Sequence, residues 1–260
     1  SDGTMSDATR TVIEQAIAEG IEIVPVSGRA FATFPESIGQ IKGISYAVTS
    51  NGAAIYNKKT GERIHGVAIE YADLHSILDA FADYFHNGQI TYEAFVDGVA
   101  YGGREYVEHP EAFGVPERNV AYVQSTRKPV DDIIAFLSEH EEELDSLDIV
   151  AADTALYQKI EEQIPLVTKS VYTTSAVSYR LEISHKNSGK ATGLAYVLKL
   201  LDITPEETVA FGDGDNDAEM LEFAGLGVAM ENATENCKAA ADIVCDCCKN
   251  DGVARFLYGF

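Results

Sequence analysis

Three aspartates stand in Gly212-Asp213-Gly214-Asp215-Asn216-Asp217, straight after the run Thr208-Val209-Ala210-Phe211. A short β-branched run that stops at glycines reads as a buried strand, and Ala218 to Phe223 reads as the helix that follows. In an open α/β sheet, ligands bind at such carboxyl ends of strands. Crowded carboxylates repel one another, and a hard cation such as Mg²⁺ relieves that repulsion. An EF-hand calcium loop fails on register: counting from Asp213, position six is Ala218 rather than Gly, and position twelve is Ala224 rather than Glu. A polar strand-to-helix loop with an aspartate cap is the plainer use of the same residues.

Three other polar turns could join it. Ser27-Gly28-Arg29 offers a hydroxyl and backbone N–H groups beside a glycine, a cradle for phosphate oxygens or a simple helix N-cap. Asn51-Gly52-Ala53 is an amide-bearing turn, equally at home in a hairpin. Lys190 follows Asn187-Ser188-Gly189 at the start of an amphipathic helix running to Leu201. A cation there opposes the helix dipole, so it either meets an anion or faces solvent.

In this order (hydroxyl turn, amide turn, lysine at a helix start, carboxylates after a strand) the chain resembles the haloacid dehalogenase superfamily of phosphotransferases. Within it, the resemblance is to Cof-type sugar-phosphate phosphatases with a large C2 cap. Val26-Ser27-Gly28-Arg29 looks like the second motif, whose Ser or Thr binds the transferring phosphoryl group. Ser50-Asn51-Gly52-Ala53 is similar to the family's Asn-Gly-Ala loop. Lys190 resembles the third-motif lysine that balances charge between nucleophile and phosphate. Gly212 to Asp217 matches the fourth motif, which implies Asp213 as a Mg²⁺ ligand and Asp217 as support for the metal shell. Gly28, Arg29, Asn51, Gly52 and Asn216 fall on substrate-binding positions. Val228 to Ala233 and Asn250 to Ala254 look like the family's C-terminal segments.

The first motif, Asp-x-Asp-Gly-Thr, should supply nucleophile and general acid/base at the end of a central strand. Asp2-Gly3-Thr4 looks like its tail, but no apolar strand precedes it. The residues fit better as the polar turn after that motif. The expectation is therefore a chain that lacks its nucleophile and turns over little, with unpaired ladder groups on the strands at Ile21 to Val26 and Thr208 to Phe211.

The elements that must position these residues follow two grammars. Ser6 caps a first helix with an apolar face of Val12, Ile13, Ala16 and Ile17, ended by Gly20. Ile21 to Val26 and Tyr46 to Thr49 read as strands dropping into polar turns, the pattern of a parallel α/β sheet. The middle changes: a helix over 71–85, a hairpin turning at Asp97-Gly98, a helix from Val130 to Leu144, and strands over 148–152 and 178–183. The fold class expected is α/β, a Rossmann-like parallel-sheet core with an inserted α+β cap. Residues 1–69 and 185–260 form the core and 70–184 the C2-type cap.

With 46% hydrophobic and 23% charged residues, the composition is that of a globular protein, and the 260 residues can bury two cores. A formal charge of −23 speaks against nucleic acid or anionic membrane as a partner. No apolar run reaches membrane-span length, and a cytoplasmic monomer or homodimer is expected. Cys245, Cys247 and Cys248 invite a zinc reading, yet no CxxC pair or spaced histidines accompany them. Reduced thiols at the end of a buried strand over 242–245 fit better. The function expected is Mg²⁺-dependent hydrolysis of small phosphorylated metabolites through an aspartyl-phosphate. A non-catalytic phosphometabolite-binding protein and a phosphomutase or phosphotransferase remain open.

Overall fold

The computed structural model of the chain describes residues 4–258. They form two compact units: one from residues 4–28, 34–65 and 189–258, the other from 29–33 and 66–188.

The first unit opens with α1 (Asp7–Ala18), where the Ser6 hydroxyl accepts the Thr9 N–H at 3.0 Å. Gly20, at φ 88°, turns the chain out of the helix. After α2 (Glu36–Gly39) come β1 (Tyr46–Thr49), β2 (Ala54–Asn57) and β3 (Arg63–Gly66), a sheet in that order with β1 and β2 antiparallel. The strand expected at Ile21 to Val26 is not one. That segment joins no sheet and meets β1 at a single parallel bridge, Val26 to Val48. Pro25 has no N–H to give a ladder and supplies only its carbonyl, to Val48 N at 2.9 Å.

The second unit carries α3 (Tyr71–His86), β4 (Ile90–Val96), β5 (Val99–Gly103), α4 (Arg104–Glu108), α5 (Glu117–Thr126), β6 (Arg127–Val130), α6 (Ile133–Glu139), β7 (Leu144–Ala151), α7 (Thr154–Val167), β8 (Val171–Val177) and β9 (Arg180–His185). Its six strands run β6-β5-β4-β7-β9-β8. Asp97 and Gly98, at φ 46° and 72°, make the tight turn between β4 and β5, which needs two left-handed residues. Alternation sends Tyr92, Leu147, Ile149, Leu181 and Ile183 to one face, against Leu74, Ile77 and Phe81 of α3 and Ile160 and Ile164 of α7. The residues between them, Glu93, Asp148 and Glu182, belong to the opposite face and are also buried.

The single helix expected from Val130 to Leu144 is instead strand, helix, strand. Pro129 sits in edge strand β6, where a missing donor is tolerated. Asp132 then starts α6 by accepting from Ile134 and Ala135 N at 2.9 and 3.0 Å.

The chain returns to the first unit through α8 (Lys190–Leu201), β10 (Val209–Gly212), α9 (Ala218–Phe223), β11 (Leu226–Met230), α10 (Glu235–Ala240), β12 (Ile243–Cys245) and α11 (Gly252–Tyr258). β10, β11 and β12 form a parallel sheet in that order. Leu194 and Leu198 of α8 pack with Ala210, Met220, Leu221 and Ala229. β12 is an edge strand with Ile243 and Val244 exposed, so its thiols do not end a buried strand. No described helix is long and apolar enough to cross a membrane.

Candidate active site

β10 ends at Gly212 and delivers the acidic loop. An added Cβ on Gly212 would lie 2.4 Å from the Asp217 Cβ, so glycine is what lets the loop fold back on the strand. Asp217 organises that loop from within. One carboxylate oxygen accepts from the backbone N–H groups of Asp213 and Gly214 at 2.9 and 3.0 Å, and the other meets Lys190 Nζ at 2.5 Å. Asp217 and Lys190 are both buried. The cation that opposes the α8 dipole therefore has its anion inside the protein.

Asp213 and Asp215 point outward and are exposed. Asp213 Oδ2 accepts from Asn232 Nδ2 at 3.3 Å, and Asp215 Oδ1 from the Thr234 hydroxyl at 2.6 Å. Two exposed carboxylates at a strand end, with a third turned inward to pair with lysine, offer oxygen ligands of the kind a hard cation takes.

The amide turn abuts this loop. Ser50, Asn51 and Gly52 take φ of 48°, 52° and 90° in succession. For the two non-glycine residues this costs on the order of 1–3 kcal/mol each. Asn51 Oδ1 accepts from Asn216 Nδ2 at 3.0 Å, tying the turn to the acidic loop. Asn51 N donates to the Ser27 carbonyl at 3.1 Å, and Ser27 N to the Val48 carbonyl at 3.0 Å, which tie in the hydroxyl turn. Gly52 closes the circuit at the start of α8, where an added Cβ would sit 2.0 Å from the Gly189 carbonyl oxygen.

Gly52→Ala combines that clash with a left-handed φ. It should cost about 3 kcal/mol or more, read as a lowered denaturation midpoint. Gly39→Ala in α2, where nothing lies within 4 Å of the new methyl, should be neutral or slightly stabilising.

The sequence profile of the haloacid dehalogenase-like hydrolases matches residues 1–257. The chain belongs to that family. Phosphatase YwpJ of Bacillus subtilis is 30% identical over 287 residues, covering 98% of this chain and 96% of its own length. The B. subtilis 5-amino-6-(5-phospho-D-ribitylamino)uracil phosphatase YitU is 28% identical over 260 residues, covering 98% and 91%. A solved haloacid dehalogenase-like hydrolase from B. subtilis superposes with a TM-score of 0.81 at 26% identity, over 99% of this chain and 94% of that one. Together these matches place the chain in the Cof-type branch, with its Rossmann-like α/β core.

In this haloacid dehalogenase-like hydrolase, Ser27, Asn51, Gly52, Lys190, Asp213, Asn216 and Asp217 are joined by the contacts above, and Gly28 follows Ser27 in the same unit. Arg29 belongs to the other unit. Its guanidinium stacks on the Tyr122 ring at 4.9 Å and donates to the Thr33 carbonyl at 3.3 Å. Asp2 and Gly3 lie outside the described residues.

Sequence reasoning gives Asn232 and Thr234 no role. Thr234 N also donates to the Asp213 carbonyl at 3.1 Å, and its hydroxyl caps α10 by accepting from Cys237 N at 3.2 Å. A Thr three residues before Cys237, ahead of a short helix, is the available signal. Cys237 registers the charge of the loop: burial first, then the carboxylates of Asp217, Asp213 and Asp215, push its thiol up to about 11.

Proposed function

We propose that the protein is a Mg²⁺-dependent phosphatase of small phosphorylated metabolites, sugar phosphates among them. What supports this above all is the joining of Lys190, Asp217 and the outward-facing Asp213 in one hydrogen-bonded loop. The naming of full-length relatives as phosphatases agrees with it.

Asp213 would hold the metal and Asp217 would hold the loop that presents Asp213. Bound Mg²⁺ would supply Lewis-acid neutralisation of phosphate charge. The Ser27 hydroxyl and Lys190 ammonium would take the equatorial phosphoryl oxygens, while Gly28, Asn51, Gly52 and Asn216 line the same turns. Water then hydrolyses an aspartyl-phosphate formed on a carboxylate nucleophile. The carboxylates of the described loop are already engaged elsewhere, Asp217 with Lys190, Asp215 with Thr234 and Asp213 with Asn232, and Asp213 would also hold the metal. The nucleophile would be carried beside β10, which has β11 as its one strand partner among the described residues.

The test is phosphate release from a panel of phosphorylated sugars and ribityl compounds. It would use both the 260-residue chain and the chain joined to a strand ending in Asp-x-Asp-Gly-Thr. The joined form should release phosphate, stop on chelation and recover with added Mg²⁺, while the shorter form binds substrate with little turnover. Release that ignores chelation overturns the metal's role, and phosphate moved to a competing sugar instead of water marks a transferase.

A further inference from the structure

β11 and β12 are parallel neighbours in which Met230 stands opposite Cys245. Their carboxyl ends therefore release two loops side by side, Glu231-Asn232 and Asp246-Cys247-Cys248. Register explains a cluster that sequence spacing hides, because residues fifteen positions apart become adjacent. One ligand atom each from Glu231, Asp246 and Cys247 lies within 4.8 Å of the others. Two more sulfurs sit at the strand ends beside them, Cys245 Sγ and Met230 Sδ at 3.5 Å.

The Asp246 carboxylate is already aimed. Its Oδ1 accepts from Cys247 N and from Asn250 Nδ2, both at 2.8 Å. Outer hydrogen bonds of this kind orient metal-ligating carboxylates. Its Oδ2 accepts from Arg255 Nη1 at 3.3 Å, an ion pair whose arginine side chain is largely exposed. Ligand type then selects the ion. A thiolate with two carboxylates is a borderline-soft set that suits zinc-class cations, whereas Mg²⁺ takes oxygen alone.

We propose that Glu231, Asp246 and Cys247 form a three-ligand site for a zinc-class divalent cation, with a fourth position open to water. Binding replaces the thiol S–H with an S–metal bond and releases that proton to solvent. The site adjoins the acidic loop without sharing a ligand with it. Asn232 links the two, donating to Asp213 Oδ2 and accepting from Cys248 N at 3.4 Å.

Cadmium titration of the full chain in excess Mg²⁺ tests the site directly. A thiolate-to-cadmium charge-transfer absorption should saturate at one equivalent, with one proton released per ion in weakly buffered solution. Cys247→Ser should abolish the absorption. Glu231→Gln should weaken binding by at least the roughly 10–100-fold typical of supporting partners. Arg255→Ala should tighten it, and Cys245→Ser and Asp213→Ala should leave it in place. Glu231 and Arg255 are exposed, so their variants keep the test independent of folding. An absorption that survives Cys247→Ser, one that disappears with Cys245→Ser, or no saturable absorption at all overturns the proposal. None of these readouts depends on phosphatase activity.

Discussion

Asp213→Ala should lower Mg²⁺-dependent phosphate release by about 10²–10³-fold or more while leaving the folded protein intact. The two halves of that expectation rest on different atoms of one residue. The backbone N–H of Asp213 donates to Asp217 and its carbonyl accepts from Thr234 N, and both survive the substitution. Its carboxylate is exposed and held by Asn232 at 3.3 Å, so removing it leaves no buried group orphaned. A calorimetric Mg²⁺ titration of the 260-residue chain reads the loss of a ligand whether or not that chain turns over. Asp217→Ala differs in kind. It leaves Lys190 buried without its carboxylate and frees two backbone N–H groups, so stability and activity should fall together. A rate that persists in Asp213→Ala with unchanged Mg²⁺ dependence would remove both the metal assignment and the mechanism.

The site is legible in sequence where local rules act alone. Lys190 to Leu201 and Ala218 to Phe223 are helices with the expected bounds, because apolar period and terminal signals agree there. Ser6 caps α1 and Gly20 ends it for the same reason. Where tertiary contact decides, local rules fail. Ile21 to Val26 has strand composition, yet a ladder needs neighbours and donors, and Pro25 lacks one of those. Residues 130–144 have helical periodicity, but sheet pairing claims both ends of that run. The bond between Asn51 and Asn216, which joins two turns 165 residues apart, has no local signature at all. At Lys190 the sequence leaves anion and solvent both open; the anion, Asp217, comes from the same protein 27 residues on.

The second unit hides a charge balance that no spacing rule reveals. On the sheet face opposite its apolar core, Glu93 is fully buried and chelated by Arg127, with Nε to Oε1 at 2.9 Å and Nη2 to Oε2 at 2.8 Å. The Tyr106 hydroxyl donates to the same carboxylate at 2.5 Å, and Arg180 Nη1 stands 3.5 Å away. Arg180 also faces Glu182 at 2.9 Å and Asp148 at 3.3 Å. Two guanidiniums thus meet three carboxylates, and one carboxylate gives way. Burial, with Glu182 and Glu93 nearby, pushes Asp148 well above the usual range despite Arg180. Burial would raise Glu93 too, but Arg127 and Arg180 hold it below its ordinary value.

Glu93→Gln should therefore cost about 3–5 kcal/mol, because it leaves the buried Arg127 guanidinium, and the partly buried Arg180 beside it, short of a counter-charge. Replacing Glu93 and Arg127 together by apolar residues should cost less than the sum of the single changes, by a coupling of roughly 1–3 kcal/mol. The signs of the pH dependence oppose one another. Glu93, depressed in the folded state, contributes stability above its unfolded pKa that is lost as pH falls through its folded value. Asp148, raised in the folded state, contributes stability that is complete below its unfolded pKa and lost as pH rises through its folded value. In Glu93→Gln, Asp148 loses a negative neighbour and can ionise against Arg180, so the variant's deficit should shrink toward alkaline pH. Denaturant midpoints measured above Glu93's unfolded pKa, where its own contribution is complete, decide it: a deficit that stays constant there, or grows as pH rises, would mean that Asp148 does not hold the network's proton.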